Sequence, residues 1–94
     1  MALSFDMRVS IPSHVLTRRL DDELVLLNLD NESYFGLDEI GSRMIEAVAA
    51  APTILVAVDQ LLGEFAVDAG QLRIDVAKLL AELAENGLVE FHDA

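Results

Sequence analysis

The residue types that most often perform chemistry are few in this chain, and the sequence keeps them apart. The two histidines, His14 and His92, lie near opposite ends, and there is no cysteine. A metal site needs clustered ligands, and a serine nucleophile needs a general base beside it. The serines have no histidine at a spacing that suggests such a base: Ser4, Ser10, Ser13, Ser33 and Ser42. We therefore expect no metal, no cofactor and no catalytic residue.

The charge of the chain is strongly negative. Six basic residues are set against seventeen acidic ones, which gives a formal net charge of -11. A protein that binds duplex nucleic acid normally carries a basic face that displaces counterions from phosphates. Here only Arg18 and Arg19 are adjacent, and the other basic residues are scattered. The composition therefore argues against nucleic acid and anionic membranes as partners.

Length and composition indicate one domain over residues 1–94. Hydrophobic residues make up 53% of the 94 positions, which is ample for a single core. No apolar run approaches the ~20 residues that span a bilayer. The start of the chain, MALSFDMRVS, lacks the charged end, apolar centre and cleavage site of a signal peptide. We expect a cytoplasmic protein.

The first part of the chain reads as an arm followed by three strands. Residues 1–14 are predicted as an extended arm, because Pro12 interrupts strand pairing. Residues 15–20 form the first strand, and alternating Val25, Leu27 and Leu29 predict a second with one strongly apolar face. Turn-forming residues 30–33 then lead into a third strand, whose core-facing residues are Phe35 and Leu37.

Three helices and a short strand complete the chain. Asp38, Thr53 and Asp68 are predicted N-caps, each ahead of an apolar stripe at helical spacing. The stripe of the first helix is Ile40, Met44, Ile45 and Val48, and that of the third is Leu72, Val76, Leu79, Leu80 and Leu83. Residues 88–91 read as a closing strand. This predicts an α+β, winged helix-turn-helix-like domain, with a three-stranded antiparallel sheet, three helices and a wing strand.

Two segments in this order resemble the PqqD family, whose members recognise the leader of ribosomally made, modified peptides. They are LVLLNLDNESYFGLDEIG at residues 24–41 and DVAKLLAELAENGLVE at residues 75–90. Members that serve pyrroloquinoline quinone synthesis tend to have a Pro-Glu pair where this chain has YFGL. The YFGL form is more similar to the stand-alone members of lasso-peptide pathways.

The resemblance implies a function and a binding site. It implies a non-catalytic adaptor that takes the leader of a precursor peptide as an extra strand and presents it to a maturation enzyme, such as a leader peptidase or a radical enzyme. The leader would lie between the third strand and the third helix. Carried over by position, the site residues are Ser33, Tyr34, Phe35, Gly36 and Leu37 on the strand, and Asp75, Lys78, Leu79 and Glu82 on the helix.

Other functions remain open from the residues. A PqqD-type chaperone in pyrroloquinoline quinone biosynthesis would share this fold. An acyl or peptidyl carrier protein needs a serine at a helix start, and the nearest candidate is Ser42. An acidic winged-helix regulator is disfavoured because Arg73 and Lys78 share the third helix with three carboxylates. The sheet edge could also pair with a second copy to form a homodimer.

Overall fold

The computed structural model describes residues 3–93 and shows an α+β fold. In chain order the elements are β1 (Arg8–Ser10), β2 (Val15–Leu20), β3 (Glu23–Asn28), β4 (Tyr34–Leu37), α1 (Glu39–Ala50), α2 (Ile54–Glu64), α3 (Ala69–Glu85) and β5 (Glu90–His92). Strands β2, β3 and β4 form a three-stranded antiparallel sheet in sequence order. The predicted meander followed by three helices is therefore confirmed.

Each hairpin of the meander has one turn residue in the left-handed backbone conformation. Asp21 and Glu32 have φ values of 57° and 60°, in the region that polar turn residues tolerate better than β-branched ones. The turn after β3 is held by Asn31, whose side-chain oxygen accepts from the backbone N–H of Ser33 at 2.9 Å. These short connections set the register, in which Leu26 lies opposite Thr17 on β2 and Phe35 on β4.

The buried face of β3 is not the one that the sequence suggested. Leu24, Leu26 and Asn28 face the helices and are 8%, 0% and 3% exposed. Leu29, assigned to the apolar face, is 56% exposed, and Val25 and Leu27 are only half-buried. The prediction was wrong because β3 carries apolar residues on both faces, so alternation alone cannot tell which one packs on the helices.

The arm at the start of the chain contains a strand that the sequence did not reveal. β1 pairs antiparallel with β5, and Val9 lies opposite Phe91 at the centre of this second, two-stranded sheet. Just before β1, the carbonyls of Phe5 and Met7 accept from the first N–H groups of α2 at 2.9 Å each. The arm therefore satisfies donors at a helix start that would otherwise lack partners. Met1 and Ala2 of the predicted arm lie outside the described residues.

The helices begin at the predicted caps. The side chains of Asp38, Thr53 and Asp68 accept from backbone N–H groups three residues later, at 2.7, 3.2 and 3.0 Å. Ile40 was expected in the core, but it is 56% exposed, while the rest of its stripe is buried. Leu79 is half-buried at the edge of the α3 stripe.

The helices cover one face of the three-stranded sheet and enclose the core. α1 packs on β3, β4, β1 and α2, and α2 packs on α3. The largest fully buried side chains come from β3, all three helices and the segment before β5: Leu26, Ile45, Ile54, Leu61, Leu80, Leu83 and Leu88. Within residues 3–93, no helix has the length and apolarity needed to span a membrane.

Candidate functional site

Strand β4 lies at an edge of the sheet, so half of its backbone groups face away from β3. The N–H of Asn28 donates to the carbonyl of Ser33 at 2.8 Å, which makes these two residues a hydrogen-bonded pair. In an antiparallel ladder such pairs alternate, so Phe35 also points its N–H and C=O toward β3. The N–H and C=O groups of Tyr34 and Gly36 therefore point to the free edge. They are available to another strand.

The far end of β4 is fixed to α1 by the buried hydroxyl of Ser42. This hydroxyl accepts from the N–H of Leu24 at 2.8 Å and donates to the carbonyl of Leu37 at 3.3 Å. The hydroxyl thus bridges the last residue pair of the β3–β4 ladder. Ser42 itself is only 1% exposed. A serine that carries a prosthetic arm must be accessible, so this geometry disfavours the carrier-protein alternative for Ser42.

The near end of β4 is fixed to the end of α3 by Asn28. The Asn28 amide donates to the carbonyls of Asn86 and Gly87 at 3.1 and 3.3 Å. Its side-chain oxygen accepts from the N–H of Asp30 at 2.9 Å, in the turn that leads to β4. One buried amide therefore ties the C-terminal end of α3 to the hairpin.

The N-terminal half of α3 meets the start of α1 around an open cavity of about 380 Å³. The cavity wall is mostly apolar, with the carboxylate of Asp75 and the amide of Gln71 at its edge. Asp75 accepts from the Gln71 amide at 2.9 Å. The apolar side chains around the cavity are Ile40, Met44, Phe65, Ala66, Val67 and Leu72.

The contacts at the two ends of β4 place one flank of α3 alongside this strand, and the two elements run in opposite directions. Asp75 lies near the end of β4 where α1 begins, and Asn86 lies near the end where the hairpin turns. Residues 75–86 rise about 16 Å as helix, and β4 is about 13 Å long. The stretch from Asp75 to Asn86 and β4 therefore extend over similar lengths, and we call the space between them the β4–α3 groove. It runs from the hairpin turn to the cavity.

The proposed site residues lie on or next to the two elements that border this groove, and they differ in exposure. On β4, Phe35 is half-buried and packs on the core, Tyr34 is 75% exposed, and Leu37 is 4% exposed. Leu37 can therefore offer only its backbone. On α3, Asp75, Leu79 and Glu82 follow the flank beside the groove, whereas Lys78 lies further toward solvent on the helical wheel. Sequence reasoning named Asp75 but did not assign the apolar cavity-lining residues to the site, because they belong to three separate segments.

An ion pair lies at one rim of the cavity. Arg43 on α1 donates two hydrogen bonds to Glu64 at the end of α2, at 2.7 and 2.6 Å. This bidentate hydrogen bonding lowers the pKa of the Glu64 carboxyl and raises that of the guanidinium. Asp75 has no such partner among residues 3–93. The uncompensated negative charge at the cavity therefore belongs to Asp75.

One serine does meet a histidine, contrary to expectation. Ser10 Oγ lies 2.7 Å from His92 Nε2 across the β1–β5 ladder. Glu90 lies 3.9 Å from the same ring nitrogen, and among residues 3–93 no carboxylate bonds to Nδ1, where a catalytic triad requires one. Sequence spacing could not reveal the pair because strand pairing brings the two ends of the chain together. Within the described part of the chain, no three metal-binding side chains cluster.

The sequence and the fold both resemble those of known proteins. The sequence profile described as Coenzyme PQQ synthesis protein D (PqqD) matches residues 23–89. The solved structure described as "TbiB1 in Complex with the TbiA(beta) Leader Peptide" is 34% identical, with a TM-score of 0.80 over 86% of this chain and 94% of that chain. A structure described as "Lasso peptide synthetase B1 complexed with the leader peptide" is 20% identical and shares the fold, with a TM-score of 0.76 over 90% of this chain and 98% of that one.

Curated protein sequences contain no match to this chain. The family assignment therefore rests on the profile and on the solved structures. The profile extends from the first residue of β3 to the segment just before β5, so it includes β4, the three helices and both anchors of the groove. Because this match covers well over half of the sequence, the protein belongs to the PqqD family.

Proposed function

We propose that this protein is a non-catalytic adaptor that binds the leader of a ribosomally made precursor peptide and presents it to a maturation enzyme of a lasso-peptide or related pathway. The observation that carries this proposal is the free edge of β4 beside the β4–α3 groove. The 34% identical TbiB1 has been solved with a leader peptide, which supports the same ligand class here.

Strand addition accounts for affinity without chemistry. An extended leader would pair with the N–H and C=O groups of Tyr34 and Gly36, because these are the β4 groups that point away from β3. Such backbone bonds depend little on sequence. Side chains of the leader that point inward would meet Phe35 and Leu79, which are both half-buried at the floor of the groove.

Selectivity would come from the two sides of the groove. The apolar cavity at its end accepts a bulky side chain, while Asp75 and Glu82 favour a basic or neutral leader residue beside α3. Family members are recognition proteins, and the Ser10–His92 pair lacks the geometry of a hydrolase site. We also interpret the three helices with the β1–β5 ribbon as a winged helix-turn-helix variant, in which the acidic α3 holds a peptide and not DNA.

Calorimetric titration with the leader of the precursor encoded beside this protein tests the proposal. We expect saturable binding with a Kd between about nanomolar and micromolar, as for other small, pocket-assisted interfaces. A scrambled leader of the same composition is the control, since it keeps charge and hydrophobicity but loses the spacing of the anchors. No heat and no change in NMR chemical shifts at high leader concentration would refute leader binding.

A further inference from the structure

The end of α3 carries the one Asn-Gly sequence of the chain, Asn86–Gly87. In such a pair the backbone nitrogen of glycine, which no side chain shields, can attack the side-chain amide carbon of the asparagine. Asn86 is exposed, so water and base reach this amide. Asn28 and Asn31 are instead followed by leucine and glutamate, whose side chains hinder the same attack. Asn86 is therefore the asparagine best placed to react with its own backbone.

The reaction needs no enzyme and consumes water. The Gly87 nitrogen loses its proton and bonds to Cγ of Asn86, the Cγ–Nδ2 bond breaks, and the Nδ2 group leaves with that proton as ammonia. Water then opens the resulting five-membered imide at one of its two carbonyls. Opening between Cγ and the nitrogen leaves aspartate. Opening between the backbone carbonyl and the nitrogen leaves isoaspartate, in which the main chain is one carbon longer.

The folded structure restrains each group that this reaction must move. The Gly87 N–H donates to the carbonyl of Ala84 at 3.1 Å, and the Asn86 amide donates to the carbonyl of Glu82 at 2.8 Å. The imide ring is nearly flat, so ring closure requires the Cα–C bond of Asn86 to turn far from its ψ of 8°. The end of the helix must therefore open before the Gly87 nitrogen can reach Cγ.

The Asn28 amide opposes this turn, because it donates to the carbonyls of both Asn86 and Gly87, at 3.1 and 3.3 Å. The turn rotates the peptide plane between these two residues and separates the carbonyls that one amide holds together. His14 Nε2 adds a contact of 3.3 Å to the Gly87 carbonyl. We propose that Asn86–Gly87 is a site of spontaneous deamidation, and that the Asn28 contact keeps it unreactive in the folded protein.

Either product weakens the end of α3. A carboxylate at position 86 cannot donate to the Glu82 carbonyl, and it adds a negative charge to a helix C-terminus that already carries Glu82 and Glu85. Isoaspartate also lengthens the main chain between the two carbonyls that Asn28 holds. Deamidation therefore prevents the Asn28 contact from forming again as before, and it loosens the tie between α3 and the hairpin.

Peptide mapping by mass spectrometry measures deamidation at Asn86 after incubation in mildly alkaline buffer, with and without urea. We expect the reaction to be at least about tenfold slower in the folded wild type than in the unfolded chain, because it waits for a local opening. Asn28→Ala removes two hydrogen bonds and should speed the reaction in the folded protein about fivefold or more. His14→Ala is the second variant if Asn28→Ala fails to fold. In urea both variants should react at the wild-type rate.

Ser42→Ala is the matched control, because Ser42 is buried like Asn28 but holds the other end of β4. Its deamidation rate in the folded state should stay within about twofold of the wild type. Equal rates in the folded and the urea-unfolded wild type would overturn the proposal, as would the absence of deamidation at Asn86 in urea. A folded Asn28→Ala protein that reacts no faster than Ser42→Ala would overturn it too, since opening would then not depend on the Asn28 contact.

Discussion

Asn28 and Gly87 lie so close that position 87 has no room for a side chain. The Asn28 amide nitrogen donates to the Gly87 carbonyl at 3.3 Å, and a β-carbon on Gly87 would lie 2.7 Å from that nitrogen. Gly87 also has a φ of 68°, which side chains rarely adopt. The end of α3 can therefore reach the β3–β4 hairpin only through glycine. This contact closes one end of the β4–α3 groove.

Replacing this glycine should weaken the fold. Gly87→Ala combines the left-handed backbone with a clash against Asn28, so we expect the free energy of unfolding to fall by about 1–3 kcal/mol. Gly63→Ala is the matched control, because Gly63 lies within α2 and a β-carbon there meets nothing within 4 Å. That variant should be stabilised by roughly 0.5–1 kcal/mol. Urea unfolding of both measures the difference, and an undiminished stability of Gly87→Ala would contradict the close approach.

The parts of this fold that depend on local pattern could be predicted from sequence. Strand alternation, turn residues and the three N-caps act within a few residues of one another, so the meander and the helix starts were read correctly. The inner side of β3 could not be read, because Leu24 and Val25 are equally apolar. Nor could β1, whose partner β5 is more than eighty positions away.

The candidate site likewise has a part that could be predicted from sequence and a part that could not. Its strand side follows from one contiguous segment, and the resemblance to a known family supplied it. The residues that hold the groove in shape could not be identified from sequence, because Asn28 and Ser42 act through partners that are distant in the sequence. Buried polar side chains with long-range partners are where sequence reasoning was least informative here.

The ion pair at the cavity rim should make a small contribution to stability that acid removes. Hydrogen bonding to Arg43 lowers the Glu64 pKa in the folded state below its ordinary value of 4.5. A carboxyl whose folded pKa is depressed stabilises the protein above its unfolded pKa, and this stability is lost as the pH falls through the folded pKa. Glu64→Gln should therefore be less stable than the wild type at pH 7, with a difference that shrinks below about pH 4.

Thermal unfolding of the wild type and Glu64→Gln across this pH range measures the effect. Glu85→Gln is the control, since Glu85 is exposed on α3 and forms no ion pair within the described residues. It removes one surface carboxylate without breaking an ion pair, so its stability at pH 7 should stay close to that of the wild type. A Glu64→Gln difference that grows toward low pH would mean that the Arg43 contact does not stabilise the folded state.

Backbone pairing at Gly36 should matter for leader binding and little for folding. The Gly36 N–H points away from β3, so Gly36→Pro removes no bond of the existing ladder, and proline is tolerated at such edge positions. The same change removes a donor that the leader needs. We expect leader affinity to fall about tenfold or more, since a ring then occupies the edge as well.

Gly36→Ala isolates the backbone effect. A β-carbon at position 36 meets nothing within 4 Å, and alanine keeps the N–H donor, so this variant should bind leader within about twofold of the wild type. Circular dichroism checks the fold of both variants, and calorimetry measures binding. Wild-type affinity in a well-folded Gly36→Pro protein would show that the leader does not add to β4.

The negative charge of Asp75 at the cavity should contribute to the affinity for the leader. Asp75→Lys places a cation beside the apolar cavity, where the wild type has a carboxylate without an ion-pair partner among residues 3–93. If a leader residue that is basic or donates a hydrogen bond lies there, affinity should fall at least fivefold, about 1 kcal/mol. Asp75 is exposed and its bond to Gln71 is local, so Tm should change little.

Glu85→Lys makes the same charge change on the same helix, but on the side that faces solvent away from the groove. It therefore separates a local contact from the general effect of a less negative protein, and we expect it to bind leader within about twofold of the wild type. Equal affinities for Asp75→Lys and the wild type would move the selective wall to the other flank of α3, near Arg73. Equal losses in both variants would instead show that the leader responds to net charge alone. Added salt should then reduce both losses alike.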